Sequence, residues 1–536
     1  MICDEADTGP FMYSIAPQQT LASLARTSRI FSDPALDIIW QHQESLAPLV
    51  KCMPDTLWEE RGAPSSKSIH PRRPILSADI PRLLFYSVRI RKLHFRQFSS
   101  HAVVHSDFLK ALSMCLLPGT LMPKLSDFSW CPGPEAVVSF IHHLLGPQSR
   151  KIDLQLQVST PALSFFPYMK STCPLVSDFS LVVPVNHFTI PVMSDVICGW
   201  QHLQNLTISS LDLNGFIHVA HLPDLKQLCL GPVSTTHLSL HLPDFLLEPS
   251  FPALEGLELT CDTAQFCVGI IKVISSRQLN KIVLHPSAHW TALSWEEITT
   301  AIHDCIDHEK LTHIEVEQED DRNSPIIITP FILTSSTLRP LLKFNPLIIR
   351  FQLDPGVEVD DDFLEEIATE WPSLNCLSFG TDILTARKPK ATLDCLIPFA
   401  RHCPGLTSLG IRLDVSEVPV FYQVAGDRLG HYLEELHVGT SPINAGKTAQ
   451  VAAFLSNLFI QLQGVFVAER DSPLHEPFET YETNWNRVSE MVPVFCSVRV
   501  LEEEYWTEEL GGGDDSSEED GDEEQSGVLD DAETNH

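Results

Sequence analysis

The chain has 536 residues, of which 43% are hydrophobic and 20% are charged, and its mean hydropathy is +0.02. That composition is typical of a globular protein, and the length allows roughly two to four domains or one long array of repeats. The formal net charge of −34 argues against a nucleic-acid partner, because general binding to nucleic acid needs a basic surface. The sequence shows neither a run of about 18 apolar residues nor the start of a signal peptide, so we expect an intracellular protein, cytoplasmic, nuclear or both, without a membrane partner.

A pair of short helices is predicted within residues 18–48. Asp33 is a typical N-cap residue, and Pro34 would then occupy the first position of the second helix. Apolar residues at helical spacing mark the seam of the pair: Leu21, Leu24, Leu36 and Trp40. Such a pair is too small to be stable unless it packs on a partner or on the rest of the chain. Residues 1–17 lack the pattern, and we expect them to be disordered.

Residues 49–85 are predicted to connect these helices to the next part of the chain. Within them, the stretch from Arg61 to Pro74 carries four basic residues among Pro and Ser, and we interpret it as a flexible loop. Its charge is suited to an acidic partner or to the acidic C-terminal tail. A solvated loop without a partner is the alternative.

A short phrase recurs along most of the sequence: an apolar residue, two others, an apolar residue, one other and a third apolar residue, often after Pro. Leu254, Leu257 and Leu259 form one copy behind Pro252. Thirteen copies occur between residues 90 and 438, at intervals of about 22 to 37 residues, near the leucine-rich repeat period of about 20–29. The middle residues of the copies are Leu93, Phe128, Leu154, Phe179, Leu206, Leu228, Leu257, Ile282, Ile314, Phe351, Leu377, Leu409 and Leu436.

Helical patterns lie between the phrases, with apolar residues four apart as in Phe266, Ile270 and Ile274. Ser294 begins a Ser-x-x-Glu capping box at the start of another helix. Alternating strands and helices bury their apolar faces by stacking. We therefore predict an α/β fold, a leucine-rich-repeat-like solenoid over residues 86–506 with parallel strands on the concave face and helices on the convex face. The alternative, a doubly wound α/β enzyme, is disfavoured because such sheets rarely have thirteen strands.

The residues between the apolar positions of each phrase should face away from the helices. That surface is extended and uncovered, which suits it to bind a protein. The predicted substrate-binding residues on it are Glu258, Glu315, Glu317, Gln352, Arg412 and His437. Thr207, Ser209, Val283 and Ser378 are placed on the same surface. For any one residue, a solvated position without a ligand is the simpler interpretation.

Residues 507–536 form an acidic tail. From Leu501 to the C-terminus the sequence has 16 Asp and Glu residues and no Lys or Arg. Dense like charge and few apolar residues predict disorder. Ser516 and Ser517 each have an acidic residue three positions later, a pattern that acidophilic kinases favour, so both are candidate phosphorylation sites. A tail that only keeps the protein soluble is the alternative.

The sequence offers no recognisable catalytic motif. It lacks Gly-x-Gly-x-x-Gly, a Walker-type phosphate loop, Gly-x-Ser-x-Gly, His-Glu-x-x-His and Cys-x-x-Cys. The pairs His142/His143 and His303/His308 have no accompanying Cys or carboxylate pattern for a metal. The 14 cysteines lie mostly inside apolar runs and are interpreted as reduced core thiols. We predict no catalytic residues, no metal and no cofactor.

The order of these parts resembles a known family. The run from Leu21 to Trp40 (LASLARTSRIFSDPALDIIW) resembles the second half of an F-box. The continuation through residues 49–58 and 82–86 into the repeats is similar to fungal F-box proteins with irregular leucine-rich repeats. Residues 1–17 lack the Leu-Pro-x-Glu helix with which an F-box normally opens.

The resemblance implies the substrate-selecting subunit of an SCF-type cullin–RING ubiquitin ligase. The F-box of that family docks on a Skp-type adaptor and the repeats hold a protein substrate, so a Skp-type adaptor and a cullin are the expected partners. The residues of this chain expected to contact the adaptor are Leu21, Leu24, Phe31, Leu36 and Trp40. Packing against the first repeat is the alternative for each. The second hypothesis for the whole chain is a stand-alone leucine-rich-repeat interaction scaffold that is no longer coupled to ubiquitin transfer.

Overall fold

The structure is a computed structural model that describes thirteen stretches of the chain. They are residues 15–63, 67–95, 103–130, 138–156, 163–183, 185–233, 249–287, 290–318, 333–353, 356–381, 387–419, 432–467 and 477–511. Sixteen α-helices and twenty strands lie within them.

One parallel sheet of fifteen strands organises the described chain. Its strands are β1 His42–Gln43, β4 Lys92–Phe95, β6 Asp127–Trp130, β7 Lys151–Gln155, β8 Asp178–Val182, β9 Asn205–Ile208, β10 Gln227–Val233, β11 Gly256–Cys261, β12 Lys281–Pro286, β13 His313–Glu317, β15 Ile348–Gln352, β17 Cys376–Phe379, β18 Ser408–Ile411, β19 Glu435–His437 and β20 Gly464–Phe466. They follow one another in the sheet in the order of the sequence. Smaller pairings involve β2 Trp58–Arg61, β3 Ser68–Pro71 and β5 Val103–Val104, and separately β14 Leu333–Thr334 and β16 Val357–Glu358.

Each of the thirteen predicted phrases lies on one strand from β4 to β19. Their apolar residues, apart from Ile348 in β15, lie on one buried face of the sheet, and we call the apolar residues of this face the framework residues. Leu206, Leu228 and Leu257 lie in register on adjacent strands, and each is 1% exposed. In β8 and β13 the buried positions alternate with half-buried or exposed ones. Parallel strands with one buried face, joined by helices, confirm the predicted α/β, leucine-rich-repeat-like solenoid.

A repeated backbone contact sets the register between strands. The Lys226 carbonyl oxygen, just before β10, accepts hydrogen bonds from the N–H groups of Glu255 and Gly256 at 2.7 and 2.9 Å. Equivalent oxygens, which we call the register carbonyls, precede every strand of the fifteen-stranded sheet from β4 to β19, and their N···O distances lie between 2.7 and 3.4 Å. They belong to Arg91, Ser126, Arg150, Ser177, Gln204, Lys226, Glu255, Asn280, Thr312, Leu347, Asn375, Thr407 and Glu434.

The predicted phrase in β15 is wrong by two residues. The sequence placed it at Ile348, Phe351 and Leu353. In the structure Leu347 provides the register carbonyl, so Ile349 is the first framework residue of the strand and is fully buried. Ile348 faces the other side of the sheet. Two overlapping copies of the apolar spacing occur here. In the copy that matches the buried face, Pro346 occupies the first apolar position and is itself buried.

Helices join most of the strands and cover the framework face. Their bounds are α1 Ile15–Thr27, α2 Arg29–Gln41, α3 Ala47–Lys51, α4 Ile80–Ser87, α5 Ser106–Ser113, α6 Val138–Ile141, α7 Phe165–Thr172, α8 Thr189–Ile197, α9 Leu213–Ala220, α10 Ala264–Val273, α11 Ala292–Cys305, α12 Ser335–Leu338, α13 Asp361–Glu370, α14 Leu396–His402, α15 Thr448–Leu458 and α16 Phe478–Gly511. Phe266 and Ile270 are buried in α10, as their spacing predicts. Ser294 is not the N-cap of α11, because Thr291 precedes the helix in extended conformation and accepts from the Ser294 N–H at 3.2 Å.

The N-terminal helices differ in detail from the prediction. The first three residues of α1 belong to the segment expected to be disordered. The N-cap of α2 is Ser28, whose hydroxyl accepts a backbone N–H of the first turn at 3.3 Å, so Asp33 and Pro34 lie inside the helix. Arg89 binds Asp33 at 2.8 Å and also Asp37, which ties α2 to the chain that precedes β4.

The predicted basic loop at residues 61–74 contains a strand. β2 and β3 pair antiparallel across it, and β3 also pairs with β5. The basic side chains of this region contact carboxylates of the same region. The pairs are Arg61–Glu59, Lys67–Glu60, Arg72–Glu59 and Arg73–Asp79.

The last strand is covered by α16. Trp485 is fully buried, and its indole N–H donates to the Ser441 carbonyl oxygen at 2.8 Å. The Ser489 hydroxyl accepts from the Val465 N–H at 3.0 Å, so the helix binds the edge that a further strand would use. The predicted phrases ended at residue 438 and missed β20, although Leu462, Val465 and Val467 repeat the same apolar spacing there.

A framework leucine should contribute far more stability than an exposed leucine. We expect Leu257→Ala to lower the free energy of unfolding by about 2–5 kcal/mol, because it opens a cavity in a close-packed face. Leu293→Ala is the matched control, since Leu293 is 70% exposed, and its effect should stay within about 0.5 kcal/mol. Urea unfolding followed by circular dichroism measures both, and equal losses would contradict the assignment of the framework face.

Candidate functional site

The face of the sheet opposite the helices, which we call the open face, carries the predicted substrate-binding residues. On each strand the residue between the two framework residues points toward it. Strands lie about 4.8 Å apart, so neighbours in this middle row can touch. From β4 to β20 the row consists of His94, Ser129, Asp153, Ser180, Thr207, Cys229, Glu258, Val283, Glu315, Arg350, Ser378, Gly410, His437 and Phe466.

Glu258 forms a titratable pair with His285 near the centre of the open face. The His285 Nε2 atom lies 3.5 Å from Glu258 Oε1. The hydrogen bond with Glu258 raises the pKa of His285 against the effect of burial, and Glu317 raises it further. The same contact lowers the pKa of Glu258 below its ordinary value. The structure therefore brings the predicted residues Glu258 and Glu317 together around a histidine that the sequence did not single out.

Glu315 lies between two cations. Its Oε1 is 3.6 Å from Lys281 Nζ and its Oε2 is 3.4 Å from Arg350 Nη1. Both cations are 45% exposed, and pairs of this kind add at most about 1 kcal/mol of stability. Their main effect is to place fixed charges on the face. Lys281 was missed because it stands at the first position of its strand, and Arg350 because the β15 phrase was misplaced.

Gln352 and His437 make separate contacts further along the sheet. The Gln352 amide donates to the Ser378 hydroxyl at 2.8 Å. The His437 ring stacks on Phe466 with 5.0 Å between centroids, and its Nε2 lies 3.4 Å from Glu435 Oε2. These two residues are therefore not part of the Glu258–Glu317 group.

Arg412 lies just beyond the end of β18. Its Nε donates to the Thr440 hydroxyl at 3.2 Å and its Nη2 to the Arg387 carbonyl oxygen at 2.6 Å. Burial lowers the pKa of Arg412 to about 10. The six predicted residues thus divide into a central charged group, two isolated positions and Arg412 at the strand ends.

Three other residues that the sequence placed on this face are buried. Ser209 is 3% exposed and its hydroxyl accepts from the Val183 N–H at 3.1 Å. Ser378 lies beneath the Gln352 amide and is 9% exposed, and Val283 is 6% exposed. Their short side chains are surrounded by longer neighbours, so they contribute packing and not contact area.

The five predicted adaptor contacts divide between the surface and the core. Phe31 on α2 is 50% exposed, and Leu21 and Leu24 on α1 are half-buried. Leu36 packs partly against the hydrophobic core. Trp40 is 8% exposed, with its ring stacked on Tyr86 at 4.7 Å between centroids. Trp40 therefore packs inside the protein, which was the alternative for each of these residues.

The most exposed apolar side chain of α2 escaped the sequence analysis. Ile30 is 80% exposed and stands beside Phe31 in the first turn. We call Ile30 and Phe31, with Leu21 and Leu24 of α1, the α1–α2 patch. The pair Ile-Phe after an N-cap serine was the available signal, but it was masked by the placement of the helix start at Asp33.

The remaining sequence features concern phosphorylation, metal binding and membranes. Ser516 and Ser517 lie outside the described residues. Across the described stretches, no group of three or more His, Cys, Asp or Glu side chains is arranged to hold a metal ion. The rings of His142/His143 and His303/His308 contact each other at 3.8 and 5.0 Å between centroids. None of the described helices combines the length and the apolar content needed to cross a membrane.

Comparisons with known proteins identify only distant similarity to solved structures. No family model and no curated protein match the chain. It is similar to a chain in the crystal structure of the Rad7–Elc1 complex in yeast, with 12% identity over 88% of this chain and 97% of that chain and a TM-score of 0.37. It is also similar to LegL7 of Legionella pneumophila, a leucine-rich repeat-containing protein, with 11% identity over 68% of this chain and 96% of that chain and a TM-score of 0.23. Both TM-scores are below 0.5, so the functional conclusion rests on the residues of this chain.

The Glu258–His285 pair predicts a pH-dependent contribution to stability. Because the folded pKa of His285 is raised, its contribution is present below pH 6.5 and is lost as the pH rises through the raised value. Because the folded pKa of Glu258 is lowered, its contribution is lost as the pH falls below 4.5. We expect Glu258→Gln to destabilise the protein at about pH 5.5 and to have little effect at about pH 8.5.

Titration of His285 by NMR measures the pair directly. Glu258→Gln should lower the pKa of His285, whereas Glu296→Gln, at an exposed position on α11, should leave it unchanged. An unchanged His285 titration in Glu258→Gln would contradict the pair.

Proposed function

We propose that this chain is the substrate-recognition subunit of an SCF-type cullin–RING ubiquitin ligase. In this proposal α1 and α2 dock a Skp-type adaptor and the open face binds a protein substrate. The observation that carries it is the α1–α2 patch, an exposed apolar surface within the segment that resembles an F-box.

The α1–α2 patch has the properties of a docking surface. Contiguous exposed apolar surface marks interaction sites, and Ile30 and Phe31, adjacent in the first turn of α2, are 80% and 50% exposed. Arg89 holds α2 in place through Asp33 and Asp37, although its own side chain is only 13% exposed. A surface fixed before binding loses less conformational freedom when the partner arrives.

The open face has the properties of a selective surface. Lys281, Glu315 and Arg350 alternate in charge across three strands, and the Glu258–His285 pair adds a second arrangement. Fixed charges of both signs favour partners with the complementary pattern and oppose others. This supports a polypeptide substrate with mixed charge.

The proposed role is non-catalytic. A subunit that holds a substrate beside a ubiquitin-charged partner accelerates transfer by raising the effective concentration of the reacting groups. Such a role depends on shape and charge, and it does not require a nucleophile in this chain.

A stand-alone leucine-rich-repeat interaction scaffold is the second candidate. It is favoured by the inward packing of Trp40 and Leu36, which confines the exposed apolar surface of α2 to its first turn. In that case the open face would still bind a protein, but no adaptor would dock on α1 and α2.

Adaptor binding separates the two candidates. We expect the full chain to bind a purified Skp-type adaptor in a pull-down, and the double variant Ile30→Asp/Phe31→Asp to lose at least tenfold in affinity, because charge replaces the apolar contact. Leu293→Asp is the matched control, since Leu293 is 70% exposed on α11 and should not affect binding.

Circular dichroism of each variant verifies that it folds. Absence of adaptor binding by the folded parent chain, or unchanged binding by the double variant, would contradict the ligase proposal and support the scaffold.

A further inference from the structure

A cavity of about 870 Å³ lies at the C-terminal ends of β18 and β19, against the first turns of α16. Its volume falls within the range of known ligand sites, about 300–1,000 Å³. One part of its lining is basic and another part is apolar or aromatic. The residues that carry the argument are Arg387, Lys388, Arg412, Lys447, Ile443 and Tyr481.

The cavity concentrates positive charge in a chain whose net charge is −34. Four basic residues line it, against one carboxylate, Asp414, among the described residues. Lys388 Nζ lies 2.7 Å from Asp414 Oδ2, so this carboxylate is already neutralised by one of the four. A smaller adjoining cleft adds Lys390, which lies 3.5 Å from Glu358. The local field therefore attracts anions although the protein as a whole repels them.

Arg412 provides a recognition group in the cavity wall. Two of its hydrogen bonds go to neutral oxygens, those of the Thr440 hydroxyl and the Arg387 carbonyl. Its pKa, lowered by burial to about 10, still leaves the guanidinium charged at neutral pH. A guanidinium is planar and matches the oxygens of phosphate or carboxylate, and such charge-assisted bonds are strong where water is partly excluded.

We propose that this cavity, which we call the anion pocket, binds a phosphorylated side chain of a second polypeptide. A phosphomonoester carries about −1.5 to −2 charges, which fits the excess of cations better than a single carboxylate does. The apolar and aromatic lining at Ile443 and Tyr481 is suited to the residues that flank the phosphate. The inference deepens the proposed function and rests on it in one respect, the identification of this polypeptide as the substrate.

The candidate phosphorylation sites of the chain itself are too far away to fill the anion pocket. Tyr481 lines the pocket near the start of α16, and Gly511 ends that helix. Thirty residues at 1.5 Å per residue separate them by about 45 Å. Ser516 and Ser517 follow Gly511 by five and six residues, which span at most about 20 Å when fully extended. The proposed ligand is therefore a phosphorylated side chain of a second molecule and not Ser516 or Ser517 of the same chain.

Fluorescence anisotropy with the full chain tests the anion pocket. The probe is a fluorescein-labelled peptide pool with phosphoserine at the centre and randomised flanks, compared with the same pool carrying serine. We expect the phosphorylated pool to bind at least tenfold more tightly, inorganic phosphate to compete, and Lys388→Glu/Lys447→Glu to abolish the preference. Lys272→Glu/Lys343→Glu is the matched control, because it makes the same charge change at exposed positions outside the pocket lining.

Three results would overturn the proposal. They are equal binding of the two pools, equal losses in the two double variants, and displacement of the probe at micromolar concentration by a synthetic peptide of residues 512–536, which would assign the pocket to the tail. The Ile30→Asp/Phe31→Asp variant should keep its preference for the phosphorylated pool. The two experiments therefore distinguish a failure of adaptor binding from a failure of phosphopeptide binding.

Discussion

The register carbonyls are the constraint on which the rest of the structure depends. At each junction from β4 to β19 one backbone oxygen accepts two successive N–H groups from the start of the next strand. Because side chains alternate along a strand, a slip of one residue would move every framework residue to the open face. The repeated contact keeps the framework residues of successive strands on one face, and it thereby decides which polar side chains meet on the other. The charged group around Glu315 exists only because Lys281, Glu315 and Arg350 stand on strands held in this register.

This arrangement separates two proposed binding surfaces along one sheet. α2 leads into β1 at one end, and the anion pocket lies beside β18 and β19 near the other. At about 4.8 Å per strand, the ends are about 60 Å apart along the sheet. An adaptor on the α1–α2 patch and a polypeptide in the anion pocket would therefore not compete for space. Such a separation is consistent with a subunit that presents one protein to another.

The fold was predictable because its signal is local and repeated. The spacing of the leucine phrase predicts where the strand lies, which of its side chains are buried and which point to the open face. All thirteen phrases lie on strands of one sheet. Where two copies of the spacing overlap, as in β15, only the backbone contact of Leu347 distinguishes them. The end strand β1 lacks the phrase and could not be predicted from it, whereas β20 carries a copy at Leu462, Val465 and Val467 that was overlooked.

The candidate sites were less predictable, because they depend on contacts between distant parts of the chain. Glu258 and Glu315 could be placed on the open face from the alternation, but their partners His285 and Arg350 are fixed by strands further along the sequence. The burial of Trp40 depends on Tyr86, which is 46 residues away. The anion pocket is built from the ends of two strands and the start of α16, a combination that no spacing in the sequence indicates.

The most direct test of the central claim is the thermal stability of single aspartate substitutions along β8. The account predicts a large loss of Tm for Phe179→Asp and Leu181→Asp, which face the helices, and little change for Ser180→Asp and Val182→Asp, which face away from them. Similar losses at all four positions would show that both faces of the sheet are buried and would contradict an open face that binds another protein.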